Sequence, residues 1–271
     1  MSRSFKDKVV IVTGSSSGVG AHAAIYFAYN YASVVLTGRN VERLNEVFRK
    51  CKESGVPRER LLVIQADVTR RSELARIVDE TVKKFGKIDI LINNAGEGKF
   101  GGLMQSTADD FDKCMETNVK SVLNLTKLAT PHLIKTKGNV VNVSSLLGSI
   151  SVPAALVYSM AKASINQFTK CVAMELAPHG VRVNAICPSY VEDTRFIEGS
   201  LLNIPDIETF NQSKERQHPL HRNVRMEDCT KAIAFLASED AAFITGTLLP
   251  IDGGRKCTDV SYAGPMLSSN R

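Results

Sequence analysis

The amino-acid sequence predicts an α/β fold built on a doubly wound parallel sheet of seven strands with helices on both faces. Short β-branched runs alternate with amphipathic segments along the chain, and strict alternation of this kind implies right-handed crossovers. The runs Val9–Val12 and Ile90–Ile92 are apolar at every position, as expected for strands that helices cover on both faces. A glycine-rich segment follows the first run, so the predicted fold is of the Rossmann type.

Seven short runs of mainly β-branched and aliphatic residues are the predicted strands, because their length and composition suit a buried strand. A segment with helical spacing of apolar residues, or a long loop, separates each run from the next. The predicted strands are Val9–Thr13, Ser33–Thr37, Leu61–Gln65, Ile88–Ile92, Asn139–Val143, Arg182–Ile186 and Thr247–Ile251.

Six segments between these runs are predicted to form the helices that cover the sheet. The predicted helices are Val19–Asn30, Val41–Ser54, Arg71–Phe85, Thr107–Lys135, Tyr158–Ala177 and Met226–Ala237. Residues 189–225 show no clear pattern and carry Pro205 and Pro219, so we expect a long loop that acts as a substrate lid. No linker rich in proline or serine divides the chain, so residues 1–271 are predicted to form a single domain.

The composition excludes several classes of protein. The 271 residues are 44% hydrophobic and 23% charged, which excludes a disordered chain, a collagen-like fibre and a small disulfide scaffold. The 34 basic and 28 acidic residues are interspersed, so the net charge of +6 indicates a basic pocket for an anionic ligand rather than a nucleic-acid surface. The uncharged stretches 9–38 and 138–161 contain too many polar groups for a membrane span.

The N-terminal residues and the cysteines indicate the compartment. Residues 1–8 lack the apolar core of a secretory signal. The six cysteines are scattered, with no CxxC pair, which is typical of reduced thiols. We therefore expect a cytoplasmic protein.

The glycine-rich turn indicates a dinucleotide. Gly14, Gly18 and Gly20 remove side chains where the backbone must approach a pyrophosphate and where the helix packs on the strand. The N-terminus of the following helix offers unpaired N–H groups and a partial positive charge to the phosphates. A tight turn without a ligand is the alternative, but the place of the triplet after the first strand favours dinucleotide binding.

The end of the second predicted strand indicates that the cofactor is NADP(H). An NAD site usually places an acidic residue there to accept hydrogen bonds from the ribose hydroxyls. This chain has Gly38-Arg39-Asn40 instead, and the fork of the Arg39 guanidinium suits a 2′-phosphate. Ser15, Ser16 and Asn40 could add hydroxyl and amide contacts. The alternative is that Arg39 is a solvated loop residue.

These residues, with motifs further along, closely resemble the short-chain dehydrogenase/reductase family from about residue 5 to residue 254. Asp67-Val68 resembles the pair that contacts adenine, and Asn93–Gly96 resembles the signature that stabilises the sheet. The resemblance implies a catalytic tetrad of Asn118, Ser145, Tyr158 and Lys162. It implies that NADP(H) is bound by Gly14, Ser16, Ser17, Gly18, Val19, Gly20, Arg39, Asn40, Asp67, Val68, Asn94, Ala95, Gly96, Tyr158, Lys162, Pro188, Ser189 and Val191.

Within the family, the sequence is most similar in character to 3-oxoacyl carrier-protein reductases and to tropinone-reductase-like carbonyl reductases. The resemblance therefore implies a carbonyl or alcohol substrate and a homotetramer. The chain departs from the family pattern in two places: Ser189 replaces the glycine after Pro188, and Asp193 stands where a threonine is usual, with Thr194 one step later. These departures put in doubt the local loop path and the usual contact to the nicotinamide carboxamide.

The chemistry of the tetrad follows from spacing and charge. Tyr158 and Lys162 are four residues apart on a predicted helix, which puts both side chains on one face. The lysine cation and the oxidised nicotinamide are together expected to lower the pKa of the phenol, so that Tyr158 exchanges a proton with the carbonyl oxygen while hydride reaches the carbon. Ser145 can donate a hydrogen bond to the same oxygen. By resemblance, Lys162 also holds the nicotinamide ribose and Asn118 anchors a water.

The substrate is expected to lie under the lid and to be mostly apolar. Ligands in open α/β sheets bind at the carboxyl ends of the strands, and the lid follows the sixth strand. Residues 98–104 and 146–156 are expected to supply the other walls. An equally open alternative is that the apolar lid residues only pack the lid onto the protein. Those residues are Tyr190, Val191, Phe196, Ile197, Leu201, Leu202, Ile204 and Phe210.

Other functions find less support in the sequence. No Gly-x-Ser-x-Gly elbow is present, which argues against a serine hydrolase. His218 and His221 bracket Pro219, which disrupts helical presentation, and no carboxylate or thiolate cluster is near, so no metal site is predicted. The alternative from another class is a catalytically silent dinucleotide-binding regulator or scaffold.

Overall fold

The computed structural model describes residues 5–194 and 206–258. Its centre is a parallel sheet of seven strands in the order β3-β2-β1-β4-β5-β6-β7, which confirms the predicted fold class. Helices pack on both faces of the sheet. The strands are β1 (Val9–Thr13), β2 (Ser33–Gly38), β3 (Leu61–Gln65), β4 (Ile90–Asn93), β5 (Asn139–Val143), β6 (Arg182–Pro188) and β7 (Leu248–Ile251).

Successive strand residues enter opposite cores, because side chains alternate across a strand. Val10 and Val12 of β1 belong to one buried cluster, whereas Ile11 belongs to the other. The same alternation puts Leu36 of β2 in the first cluster and Val35 in the second. Both faces of the sheet are therefore covered by buried apolar side chains, which accounts for the uninterrupted apolar runs in the sequence.

The helices divide between the two faces. Helices α1, α2 and α8 contribute buried residues to the first cluster, and α3, α5 and α6 contribute to the second. Among the described residues the helices are α1 (Gly18–Tyr29), α2 (Val41–Glu53), α3 (Arg71–Phe85), α4 (Ala108–Met115), α5 (Ser121–Thr136), α6 (Leu156–Leu176), α7 (Ile207–Glu215) and α8 (Met226–Ala237). None of them is both long and apolar enough to cross a membrane.

Several predicted bounds differ from the structure by one or two residues, and two longer segments differ in kind. The single helix predicted over Thr107–Lys135 is two α-helices joined by a π-helical turn, Glu116–Lys120. The segment predicted to lack regular structure contains α7, which Asp206 caps by accepting hydrogen bonds from two backbone N–H groups. Strand β4 begins at Ile90 rather than Ile88, and the carboxylate of Asp89, just before it, accepts the backbone N–H of Val9 at 2.8 Å.

The carboxyl ends of the strands position the site. The chain order reverses between β1 and β4, so the loops that follow these neighbouring strands diverge and leave a crevice. The glycine-rich turn follows β1 and the Asn94–Gly96 loop follows β4. The predicted functional residues on other loops lie at the same edge of the sheet, after β2, β3, β5 and β6.

Candidate functional site

A cavity of about 750 Å³ opens at the carboxyl edge of the sheet. Most of the residues that the sequence predicted to be functional line it, although they come from six strand ends or loops and two helices. The predicted residues that line the cavity are Gly14, Ser16, Ser17, Gly18, Val19, Arg39, Asn40, Asp67, Val68, Asn94, Ala95, Gly96, Ser145, Tyr158, Lys162, Pro188, Ser189 and Val191.

Three predicted residues, Ser15, Gly20 and Asn118, do not line this cavity. Ser15 is fully buried, and its hydroxyl accepts a backbone N–H of β2 at 2.8 Å, so it is not placed to contact a ligand. A Cβ atom on Gly20 would come within 2.5 Å of the Gly14 carbonyl oxygen and would also meet the Asn94 side-chain amide. Gly20 therefore allows helix α1 to pack closely on the turn. Asn118 is fully buried and reaches the site through Gly96.

The glycine-rich turn is clamped to the loop that follows β4. Asn94 donates its side-chain amide to the Thr13 carbonyl at 2.9 Å, and the Thr13 hydroxyl accepts the backbone N–H groups of Asn94 and Ala95, each at 2.9 Å. Gly14 has φ of +63°, and a Cβ atom there would lie 2.9 Å from the Ala95 Cα. These contacts fix the backbone on both sides of the crevice.

The end of β2 gathers positive charge at one end of the cavity. Arg39 is exposed and lines the cavity. Asn40 caps α2 by accepting the backbone N–H of Arg43 at 2.8 Å, which brings Arg43 to the cavity as well. Sequence reasoning missed Arg43, although its place three residues after a helix cap was a usable signal.

Asp67 lies beyond β3, at the same end of the cavity. Burial raises the pKa of its carboxyl, but hydrogen bonds from Thr69 and the charge of Arg39 outweigh that effect, so the pKa is lowered overall. The Thr69 backbone N–H and hydroxyl reach one carboxylate oxygen at 3.0 and 2.8 Å. Asp67 is thus held as a carboxylate in a fixed orientation, as a contact to an adenine amino group requires.

Ser145, Tyr158 and Lys162 meet at the floor of the cavity. Tyr158 and Lys162 lie in the first two turns of α6 and are 5% and 4% exposed. The Lys162 ammonium lies 5.5 Å from the centre of the Tyr158 ring and donates to the Val143 carbonyl at 2.9 Å. The Ser145 hydroxyl is hydrogen-bonded with Tyr158 and donates to the Pro188 carbonyl at 3.4 Å. The three side chains thus line the same part of the cavity.

Asn118 occupies the π-helical turn between α4 and α5. Its amide donates to the carbonyls of Glu97 and Cys114 at 2.9 and 3.0 Å, and its oxygen accepts the backbone N–H of Glu97 at 3.3 Å. A Cβ atom on Gly96 would lie 2.8 Å from that oxygen and 3.6 Å from the Lys162 ammonium. Asn118 therefore fixes the wall of the site, and Gly96 leaves the space that this packing needs.

Burial shifts both titratable groups of the floor. It raises the pKa of the Tyr158 phenol, and the hydrogen bond with Ser145 opposes this shift only partly. It lowers the pKa of Lys162 to about 8, against the attraction of Cys114 and Cys187. The sequence predicted a lowered pKa for this phenol beside two cations, Lys162 and the oxidised nicotinamide; in the protein alone, desolvation of the phenolate dominates. The phenol is therefore held protonated, the form that donates a proton.

The two departures from the family pattern are accommodated locally. Asp193 adopts a left-handed conformation with φ of +55°, and this turn brings the Thr194 side chain to 3.6 Å from the position of a Cβ atom on Gly18. The Ser189 hydroxyl is hydrogen-bonded with His218 Nε2 at 2.9 Å and accepts from Arg255 at 3.0 Å. His218 is thus engaged with Ser189. The described residues contain no group of three or more histidine, cysteine or acidic residues arranged for a metal.

The walls of the cavity on the far side of Tyr158 are mainly aromatic and aliphatic. Phe100, Leu147 and Val152 form one side, as expected for the 98–104 and 146–156 segments. Leu103 and Met104 instead point to solvent, 77% and 91% exposed. Three of the predicted lid residues line the other side, and five lie outside the described residues. The first group is Tyr190, Val191 and Phe210, and the second is Phe196, Ile197, Leu201, Leu202 and Ile204.

Comparison with known proteins identifies the family. A family model described as enoyl-(acyl carrier protein) reductase matches residues 14–256. The chain is 36% identical over 254 residues to an uncharacterised oxidoreductase of Thermotoga maritima. That alignment covers 92% of this chain and 98% of the relative. It is 34% identical over 255 residues to the meso-2,3-butanediol dehydrogenase of Serratia marcescens, with coverage of 94% and 97%.

A solved structure leads to the same assignment. The crystal structure, with cofactor, of a short-chain dehydrogenase/reductase of unknown function from Caenorhabditis elegans is 35% identical to this chain. It superposes with a TM-score of 0.90 and covers 96% of this chain and 99% of that chain. The matches extend over nearly the whole sheet and the crevice at its carboxyl edge. On these grounds the chain belongs to the short-chain dehydrogenase/reductase family.

Proposed function

We propose that the protein is an NADP(H)-dependent oxidoreductase that transfers hydride between nicotinamide and a carbonyl or secondary alcohol, with Tyr158 as the acid and base. Relatives of the chain include oxidoreductases that act on alcohol or carbonyl groups, such as a meso-2,3-butanediol dehydrogenase and a 3-oxoacyl-(acyl-carrier-protein) reductase. The observation that carries the finer proposal is the convergence of the Tyr158 phenol, the Ser145 hydroxyl and the Lys162 ammonium on one buried volume of the cavity.

In the reducing direction, the cofactor supplies hydride to the carbonyl carbon when bound. Tyr158 donates its phenolic proton to the carbonyl oxygen, and the product is the alcohol. Ser145 donates a hydrogen bond to the same oxygen while negative charge develops there. Lys162 stabilises the phenolate that Tyr158 becomes, because its ammonium lies beside the ring in a site shielded from water.

The preference for NADP(H) rests on the charge at the end of β2. Arg39 and Arg43 line the cavity beside Gly38, where an NAD site would carry an acidic residue. Ser16 lies against Gly38, since a Cβ atom on that glycine would be 3.3 Å from the serine oxygen. Two guanidinium groups and a hydroxyl offer a set of donors that suits a 2′-phosphate.

The proposal also covers the substrate, the assembly and the cellular compartment. The substrate has an apolar body, for which the aromatic and aliphatic walls around Tyr158 provide contacts. The enzyme is a homotetramer, as the family resemblance implies, and helices α5 and α6 leave the side chains of Leu123, Met160 and Met174 exposed. It works in the cytoplasm, consistent with six free thiols in the described residues.

A panel of ketones, aldehydes and secondary alcohols, each tested with NADP(H) and NAD(H), tests this function. We expect turnover that is faster with NADPH than with NADH and that disappears in Tyr158→Phe. Tight NADPH binding without turnover of any compound would contradict the proposal and support a silent dinucleotide-binding regulator instead. Faster turnover with NADH would contradict the cofactor assignment alone.

A further inference from the structure

Two partly buried cations close the lid side of the cavity. Lys214 lies near the end of α7, and Arg255 lies in the short turn that follows β7; both line the cavity that contains Tyr158. Within the described residues, neither has a carboxylate within salt-bridge distance. The Arg255 side chain donates a hydrogen bond to the Ser189 hydroxyl at 3.0 Å, and the Lys214 ammonium lies 4.8 Å from the centre of the Phe210 ring.

The positive charges of Lys214 and Arg255 are destabilised by burial, and they repel each other. Burial lowers the pKa of Lys214, and the charge of Arg255 lowers it further. Burial also lowers the pKa of Arg255, against the attraction of Asp252. The Asp252 carboxylate accepts the backbone N–H groups of Gly254 and Lys256 at 3.1 and 2.8 Å, so it is engaged by its own loop. Two neighbouring cations partly withdrawn from water are stabilised by an anion between them.

The pair is also close to the reacting groups. The Ser145 hydroxyl contacts the Pro188 carbonyl, the next residue is Ser189, and the Ser189 hydroxyl contacts Arg255. This chain of contacts bounds the distance between the Ser145 hydroxyl and the Arg255 guanidinium at about 12 Å. The cavity walls between the two ends include the rings of Tyr190 and Phe210, which are apolar surfaces. A substrate of moderate length would therefore span from the reacting groups to the cations.

We propose that Lys214 and Arg255 bind a carboxylate of the substrate, and that the enzyme acts on an oxo acid or hydroxy acid whose apolar chain separates the carboxylate from the reacting carbon. The planar guanidinium of Arg255 matches the geometry of a carboxylate, and Ser189 is the positioning residue that orients it. This inference rests on the proposed oxidoreductase function. It narrows the apolar carbonyl compound of that proposal to an anionic one.

The test compares acids with their uncharged esters. The substrates are 4-oxopentanoate, 5-oxohexanoate, 6-oxoheptanoate and the three methyl esters, each with NADPH. We expect the wild-type kcat/KM to be higher for the acid than for its ester at one or more of these lengths. The ratio of the two values should fall about tenfold or more in Arg255→Met, and severalfold in Lys214→Met. The use of a ratio cancels any general loss of activity in a variant.

Two neighbouring cations provide matched controls. Lys256 follows Arg255 directly, and Arg216 follows α7 two residues after Lys214; both are exposed and neither lines the cavity. Lys256→Met and Arg216→Met remove the same net charge, so they should change the acid-to-ester ratio less than twofold. Equal effects in the variants and their controls would overturn the inference, because they would reflect the overall charge of the protein. A loss of NADPH affinity in Arg255→Met as large as the fall in the ratio would also overturn it, since the cation would then serve the cofactor.

A binding measurement separates this inference from the proposed function. In Tyr158→Phe saturated with NADPH, binding of the three acids is followed by cofactor fluorescence, with and without Arg255→Met. Binding that depends on Arg255, together with no turnover by the wild type, would support the carboxylate site and contradict the oxidoreductase proposal. Turnover of ketones with an acid-to-ester ratio that Arg255→Met leaves unchanged would overturn the carboxylate site alone.

Discussion

Arg39 gives the sharpest test of cofactor choice. The perturbation is Arg39→Ala, which removes one guanidinium from the end of the cavity at β2 without touching the glycine-rich turn. The backbone carbonyl of Arg39, which accepts from the Gln65 amide at 3.0 Å, is kept in the variant. We therefore expect the loop to keep its path and the effect to be confined to the 2′-phosphate.

The magnitude follows from the environment of the side chain. A hydrogen bond to a charged group contributes about 1.5–3 kcal/mol, which is roughly 10- to 150-fold in affinity. Arg39 is exposed to solvent, which weakens such a contact, so the lower part of that range applies. We expect NADPH affinity to fall about 10- to 30-fold, with NADH affinity changed less than threefold. Arg43→Ala should act in the same direction, because Arg43 lines the same end of the cavity.

The assay is the dissociation constant of each cofactor, measured by fluorescence. Arg49→Ala is the matched control: Arg49 is an exposed arginine of α2, the helix that follows Arg39, and it does not line the cavity. Adding Gly38→Asp to Arg39→Ala should invert the preference, since a carboxylate accepts ribose hydroxyls and repels the phosphate; the Ser16 hydroxyl 3.3 Å away has only to rotate. Equal losses of NADPH and NADH affinity in Arg39→Ala would refute the reasoning.

Three other predictions concern the pH profile, the wall and the assembly. Because burial lowers the pKa of Lys162 to about 8, kcat/KM for carbonyl reduction should fall as pH rises through that value and the ammonium loses its proton; a flat profile to pH 10 would contradict this. Gly96→Ala places a methyl group 2.8 Å from the Asn118 oxygen, so we expect the unfolding free energy to fall by about 1–3 kcal/mol and kcat/KM to fall at least tenfold. Wild-type values for both quantities would show that the loop and Asn118 can shift to make room for the methyl group. Light scattering at micromolar concentration should give the mass of a tetramer, about four times 29.6 kDa, and a monomer mass would overturn the proposed assembly.

The sheet could be predicted because its signals are local and repeated. Val9–Val12 and Ile90–Ile92 are apolar at every position and short, as expected of strands that helices cover on both faces. The glycine-rich turn could be placed because its three glycines follow a strand directly. The π-helical turn at Asn118 could not be predicted, because one extra residue in a helix leaves the apolar spacing on either side nearly unchanged. Helix α7 carried one usable signal, Asp206 as its cap, but no buried face.

Apart from Arg43, the parts of the site that sequence reasoning missed are those created by tertiary packing. Lys214 and Arg255 are 41 positions apart and come together only where α7 and the turn after β7 meet the cavity. The effect of burial on the Tyr158 pKa was missed for the same reason. The spacing of Tyr158 and Lys162 indicates an attraction between them, but the desolvation that raises the pKa of the phenol comes from residues distant in sequence, among them Phe100, whose ring lies 5.7 Å from that of Tyr158.

Tyr158→Phe tests the central claim most directly, because it removes one hydroxyl and keeps the ring that packs on Phe100. The measurement is kcat/KM for reduction of a ketone that the wild type turns over, together with the dissociation constant of NADPH. The account predicts that kcat/KM falls about 10²- to 10⁴-fold, as expected when a general acid is lost, with NADPH affinity changed less than threefold. Residual activity above a tenth of the wild-type value, or a loss of NADPH affinity that matches the loss of activity, would contradict the role of Tyr158 as proton donor.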